Sequence, residues 1–189
     1  MATFVQARQP MVFGLFRRRQ RPEVLAAYTS IVAQARQPWL YVRYNVPDTV
    51  DGRFEMVMLH TILVLNRLRG EGGEVASFSQ ELFDTFFADM DGSLREMGVG
   101  DLGVPKKVKK MAEAFYGRAA AIAEALAADG LQELASVVDR NLFAGASDMG
   151  AAHAIARYLR EAADGLDRQQ ASQIVASGPK WPGEPVDIG

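Results

Sequence analysis

Apolar side chains recur every three or four residues along most of this chain, and glycine or proline separates one run from the next. The first run opens at Pro22 and places Val24, Tyr28 and Ile31 on one helical face. A half-buried strand would instead alternate apolar and polar residues with a period of two. The spacing therefore predicts an all-α fold, and 189 residues fit a single globular domain of six or seven helices.

Glycines, prolines and capping residues predict where these helices begin and end. Asp48 and Ser77 are the expected N-caps of two of them. The run 54–68 is apolar on all sides, which predicts a buried central helix, and the aromatic stretch 39–44 is predicted to be a packed connector, with a short edge strand as the alternative. We expect helices over about 22–36, 48–69, 77–97, 105–129, 131–143 and 148–163, with an extension of the last toward residue 175.

Composition divides the chain into three parts. Residues 1–21 form a basic N-terminal arm, residues 22–176 the helical domain, and residues 177–189 a tail with three prolines and three glycines that we expect to be disordered. Residues 1–22 carry five arginines and no acidic side chain, so the rest of the chain has a net charge of −7. A basic arm on an acidic body predicts an anionic contact for the arm alone, such as a membrane surface or RNA.

The arm also has an apolar stretch beside its arginines, which predicts contact with a membrane surface. The apolar members are Phe13, Leu15 and Phe16, and the basic members are Arg17, Arg18 and Arg19. The apolar side chains would enter an anionic bilayer while the arginines bind lipid phosphates. A disordered starter segment and an Arg-rich transit peptide are the alternatives.

The sequence offers no constellation that predicts catalysis, a cofactor or a metal site. Cysteine is absent, which excludes disulfides, thiolate ligands and cysteine nucleophiles. The run 98–103 matches a dinucleotide fingerprint as letters, but no strand precedes it. His60 lies on the predicted central helix and is expected to be a hydrogen-bonded core residue. The longest apolar run is too short and too polar to span a bilayer. We therefore predict that the chain is not an enzyme.

Four lysines cluster where the predicted helix after Pro105 begins: Lys106, Lys107, Lys109 and Lys110. Lysines at a helix N-terminus oppose the helix dipole and repel one another. Asp101 or the face carrying Asp89 and Asp91 would compensate them within the fold, or an acidic or phosphate-bearing partner would do so; a solvated face is the alternative. Phe115 and Tyr116 add an aromatic edge, so we predict partner binding by the lysines, the two aromatic residues, Asp89 and Asp91.

Two neighbouring stretches resemble the ubiquinol–cytochrome c chaperone family. They read SQELFDTFFADMDGSLREMGVGD over residues 79–101 and VPKKVKKMAEAFYGR over residues 104–118. The similarity extends upstream to Pro22 and weakly downstream to about Phe143, and the start GLFRRR at residues 14–19 is similar to bacterial members.

The resemblance implies an assembly factor for the cytochrome bc1 complex that binds newly made cytochrome b and stabilises it while haem is acquired. It also implies a site near the ribosomal exit tunnel and a small helical partner protein. The expected location is cytoplasmic, peripheral to the inner membrane, or on the matrix side in mitochondria. The alternative from another class is a small-molecule-binding or isoprenoid-related helical enzyme that holds magnesium through Asp84, Asp89 and Asp91.

Overall fold

The computed structural model describes residues 21–145 and 149–184, and within these ranges the chain consists of helices and connecting turns. The helices are α1 (Pro22–Ala35), α2 (Pro38–Val42), α3 (Val50–Arg67), α4 (Gly73–Glu96), α5 (Val104–Ala127), α6 (Gln132–Leu142), α7 (Met149–Asp167) and α8 (Ala171–Ser177). Seven of these remain when α2, a single turn of five residues, is set aside. The all-α prediction is confirmed.

Helix α3 is the centre of the bundle. Every residue from Glu55 to Val64 is buried, and α3 contacts α1, α4, α5, α6 and α7. A helix that is apolar on all sides buries all of its faces only when other helices surround it. The prediction of a central helix from the run 54–68 is therefore confirmed.

The start of α3 differs from the prediction by one residue. Thr49 is the N-cap, and its side chain accepts a hydrogen bond from the backbone N–H of Gly52 at 3.1 Å. Asp48, the predicted cap, instead accepts a hydrogen bond from Nε of Arg53 at 2.6 Å. Gly52 permits this arrangement, because a Cβ there would lie 2.1 Å from the carbonyl oxygen of Pro47.

Helix α4 begins about one turn earlier than its capping-box signal indicated. Ser77, the predicted N-cap, lies inside the helix, which starts at Gly73. Arg21 lies beside this added turn, 3.6 Å from Glu74 and 3.0 Å from Glu81. These contacts with Arg21, the N-cap residue of α1, stabilise a turn that local capping alone would leave frayed.

The aromatic stretch after α1 is helical and packed, so the edge-strand alternative is wrong. Its Trp39 ring packs edge-on against the rings of Tyr44 and Tyr158, at centroid distances of 5.7 and 5.1 Å. Pro38 occupies the start of the α2 turn, where its missing N–H costs nothing.

The predicted disordered tail needs correction over its first part. Residues 178–184, here called the C-terminal strap, lie against α1 and the end of α7. Ser30 Oγ donates to the carbonyl oxygen of Pro179 at 3.2 Å and accepts from Trp181 Nε1 at 3.1 Å. The side-chain amide of Gln169 bonds both the N–H and the C=O of Lys180, each at 2.9 Å. The proline and glycine content predicted disorder because these residues disfavour helices. A segment without helical structure can still pack against the surface of the domain. Residues 185–189 lie outside the described ranges.

Two arginines from neighbouring helices complete the C-termini of α5 and α7. The Arg160 guanidinium donates to the carbonyl oxygens of Ala125 and Gly130, each at 2.9 Å. Arg67 donates to the carbonyl oxygen of Gln169 at 2.6 Å. A cation there satisfies carbonyls that have no partner within the helix and is favoured by the helix dipole. Both contacts join residues far apart in sequence, so they fix how the helices pack.

Candidate interaction surface

The four lysines predicted to bind a partner are all exposed on the first two turns of α5. Lys109 Nζ lies 4.0 Å from Glu113, a distance at the limit of an ion pair. Lys106, Lys107 and Lys110 form no ion pair within residues 21–145 and 149–184. Helix α5 has no acidic side chain in its first turn and no side-chain cap. The positive charge at this terminus is therefore left to solvent or to a partner.

The turn that leads into α5 presents apolar side chains beside these lysines. Leu102 is 99% exposed and Met97 is 47% exposed. Gly98, with φ of +82°, ends α4 and reverses the chain. Residues 98–103, which match the dinucleotide fingerprint in sequence, therefore form a turn between two helices. The sequence predicted a linker here, and Leu102 was not among the predicted partner-binding residues. A lone leucine between glycines and outside any helical stripe was the available signal. Residues 97–110 are called the basic turn below.

The acids proposed to compensate the lysines have other partners. Asp91 accepts a hydrogen bond from Nε of Arg95 at 2.6 Å, and Asp101 pairs with the same guanidinium. Asp89 accepts a hydrogen bond from the hydroxyl of Tyr28 at 2.7 Å, which joins α4 to α1. Burial, with the neighbouring Asp89 carboxylate, raises the pKa of Tyr28. The Tyr28–Asp89 bond joins two helices, and none of these three acids pairs with a lysine of α5.

The aromatic edge is divided between the core and the surface. Phe115 is only 3% exposed and packs against Phe83, Phe86 and Phe87, with ring centroids 5.3 to 5.8 Å apart. The prediction that Phe115 contacts a partner directly is therefore wrong, because α4 covers it. Tyr116 is 44% exposed, and its ring lies 5.8 Å from that of Phe83. Of the two aromatic residues, Tyr116 alone is accessible to a partner.

The magnesium alternative finds no support in this geometry. Asp84 accepts a hydrogen bond from Gln80 at 2.9 Å, while Asp89 and Asp91 are engaged by Tyr28 and Arg95. Across the described ranges no three histidine or acidic side chains come together as a metal-binding group. A magnesium site needs several oxygen ligands converging on one point.

His60 has no free ring nitrogen, as expected of a core histidine. Its ring is fully buried, with Nδ1 2.7 Å from the carbonyl oxygen of Met56 and Nε2 2.6 Å from the hydroxyl of Tyr158. One arrangement of protons satisfies this series of hydrogen bonds. Nδ1–H donates to Met56, the Tyr158 hydroxyl donates to Nε2, and Gln34 donates to the Tyr158 oxygen at 2.9 Å. Burial lowers the pKa of His60 to about 4. These residues are called the His60 network below.

The C-terminal strap covers the His60 network. The side-chain amide of Gln34 donates to the carbonyl oxygen of Pro182 at 3.2 Å. The Trp181 ring stands edge-on to the His60 ring, with centroids 5.1 Å apart. Water therefore has no direct path to the imidazole, and the network is a structural element of the core.

An open cleft of about 400 Å³ lies between the starts of α1 and α4 and helix α8. Its charged lining includes Arg21, Glu23 and Glu74, and Arg21 is paired with Glu74 at 3.6 Å. Val75 and Val175 supply apolar lining. The cleft has neither a nucleophile beside a base nor a convergent set of metal ligands, so it has no arrangement for chemistry.

The membrane-arm residues Phe13, Leu15, Phe16, Arg17, Arg18 and Arg19 lie outside the described ranges. Arg21, assigned to the arm from sequence, belongs to the folded body through its contacts with Glu74 and Glu81. Within the part of the chain that is described, no helix has the length and apolarity that crossing a bilayer requires.

Comparison with known proteins gives consistent matches. Residues 42–181 match the family model described as ubiquinol-cytochrome C chaperone. The chain is 22% identical over 155 residues to ubiquinol-cytochrome-c reductase complex assembly factor 1 of Xenopus laevis, covering 82% of this chain and 77% of that protein. It is 24% identical to the Mus musculus assembly factor 1, of which it covers 52%. A crystal structure of the Cbp3 homolog from Brucella abortus superposes with a TM-score of 0.80 and 39% identity, over 87% of this chain and 91% of that one.

Proposed function

The chain belongs to the ubiquinol–cytochrome c chaperone family, and from that premise we propose that it assists assembly of ubiquinol–cytochrome c reductase by holding newly made cytochrome b. The observation that carries the proposal is the family match over residues 42–181, which runs from the end of α2 into the strap. The match to the Brucella fold, at 39% identity, supports it. We propose that the protein acts by binding and not by catalysis.

The surface around α5 supports a holding role. Tyr116, Met97 and Leu102 are exposed on or next to α5, and four lysines flank them. Cytochrome b, as the membrane-embedded client, would expose apolar segments and charged loops before assembly. A surface with both apolar and cationic side chains can contact both, and it needs no deep pocket to do so. The ribosome and a small helical protein are further proposed partners, for which no surface is assigned.

Loss of the gene tests the proposed function most directly. In a clean deletion strain, we expect the haem absorbance of cytochrome b and the amount of assembled bc1 complex to fall severalfold. Another respiratory complex, such as the terminal oxidase, should stay near its normal level and serves as the control. Normal bc1 levels in the deletion strain would refute the assembly role.

Site-specific cross-linking tests the choice of surface. A photoreactive amino acid replacing Tyr116 should cross-link to cytochrome b in growing cells. The matched control places the same amino acid at Arg157, which is exposed on α7. Equal cross-linking from both positions, or capture from residue 157 alone, would contradict the assignment of the α5 surface.

A further inference from the structure

We propose that the basic turn, residues 97–110, is a membrane-docking surface that binds anionic phospholipid headgroups and inserts Leu102 among them. The proposal rests on the proposed function in one respect: a client embedded in a bilayer makes lipid the nearest source of negative charge. It adds a second membrane contact, separate from the arm in residues 1–20.

Charge is the first support for the proposal. Residues 95–110 carry five basic and two acidic side chains, whereas the whole chain has a net charge of −2. Arg95 is paired with Asp91 and Asp101, so the unneutralised charge belongs to the lysines. A basic side chain near an anionic bilayer strengthens partition by roughly fivefold, so four of them give an attraction of several hundredfold.

The exposed apolar tip is the second support. Leu102 is 99% exposed at the point where the chain reverses between α4 and α5, and Met97 is 47% exposed at the end of α4. Side chains on a projecting turn can enter a bilayer interface, where lysines around them bind headgroups. A bilayer interface receives a projecting side chain without any groove in the protein. The cleft of about 400 Å³ lies elsewhere, between α1, α4 and α8.

The arrangement of the lysines favours a surface contact over an internal role. They oppose the dipole of α5, and within the described ranges they have one ion pair, at 4.0 Å. An arrangement that is unfavourable in the isolated protein becomes favourable when an extended anionic surface lies against it. Anionic lipid provides that surface over the whole width of the turn.

Vesicle sedimentation tests the proposal on the purified full chain. The probes are vesicles of phosphatidylcholine with 30% phosphatidylglycerol and vesicles of phosphatidylcholine alone. Arg17, Arg18 and Arg19 are replaced by glutamine in every protein, so that the arm does not mask the turn. We expect binding to the anionic vesicles only, and a decrease when salt is raised.

Two variants of the turn and one matched control decide the outcome. Lys106→Glu with Lys107→Glu should lower partition at least about 30-fold. Leu102→Ser should lower it roughly tenfold, because an apolar side chain no longer enters the interface. The control, Arg140→Glu with Arg157→Glu, changes the net charge by the same amount at exposed sites on α6 and α7, and it should leave partition within about threefold of the parent.

Other results would overturn the proposal. If the lysine and control variants lose partition equally, the effect comes from net charge and not from the turn. If Leu102→Ser binds like the parent, the contact is purely ionic and the proposed insertion of Leu102 is refuted. Helicity by circular dichroism confirms folding, and Lys106→Gln with Lys107→Gln replaces the glutamate pair if that pair fails to fold. The vesicle assay contains no cytochrome b. A negative result in it therefore does not refute the assembly role, which the deletion strain tests separately.

Discussion

The polar groups of the His60 network are buried and paired within the fold, whereas those of the basic turn are exposed. At His60, both ring nitrogens, the Tyr158 hydroxyl and the Gln34 amide have partners, and Trp181 of the strap covers them. At the basic turn, only Lys109 has an ion pair within the described ranges, at 4.0 Å, and Leu102 is almost wholly exposed. Buried polar groups must be satisfied within the fold, whereas exposed groups can remain available for a partner. The difference separates a region that maintains the structure from one that is suited to binding.

The largest expected effect comes from replacing the aromatic residue of the strap. Trp181→Ala should lower the free energy of unfolding by about 3–4 kcal/mol, because it removes a large ring from His60 and a hydrogen bond to Ser30. Leu102→Ala is the matched change at the basic turn, and it should cost less than about 0.5 kcal/mol. Urea unfolding of both variants measures the contrast, and equal losses would show that the strap is not part of the core.

The pH dependence of stability should report on the His60 network. Burial lowers the pKa of His60 from 6.5 to about 4. Between these values the unfolded chain binds a proton that the folded protein does not, so stability falls as the pH is lowered. From this group we expect a loss on the order of 3 kcal/mol between pH 7 and pH 4.

Comparison with a variant isolates the contribution of the imidazole. Burial raises the pKa of Glu55 despite its contact with Arg118, and that group acts in the opposite direction. Because His60→Gln keeps Glu55, the difference between the two pH profiles belongs to His60. Urea titrations at pH 7, 6, 5 and 4.5 provide the profiles. Parallel profiles would mean that the imidazole is protonated in the folded protein or reached by water.

The smallest expected effect is an increase in the free energy of unfolding, whereas most substitutions lower it. Lys106→Glu with Lys107→Glu places acids in the first turn of α5, where the dipole favours them, so the free energy of unfolding should rise by about 1 kcal/mol. Arg140→Glu with Arg157→Glu should lower it slightly, because Arg140 lies in the last turn of α6. Thermal unfolding at low salt compares the two. A stabilised protein that no longer binds anionic vesicles would show that the lysines serve binding at the expense of stability, whereas a destabilised lysine variant would point to a structural role.

The sequence predicted accurately those structural features that depend on residues close together along the chain. Stripes at helical spacing predicted the amphipathic helices, and the run 54–68 predicted the central one. The exposure of Lys106 and its neighbours also followed, because a charged side chain on an amphipathic helix is rarely buried. Helix starts were less accurate: Thr49 replaced Asp48 as a cap, and α4 began before Ser77, because contacts from other elements shifted the local balance.

By itself, the sequence determined the fold class, the position of the positive charge and the family resemblance. Only the tertiary structure decided which faces are covered: Phe115 lies beneath α4, the strap lies over His60, and Leu102 is left exposed. The physical reason is that helical periodicity fixes which side chains share a face. Whether that face meets another element or solvent depends on residues that are distant in sequence, as with Gln34 and Pro182, which are 148 positions apart.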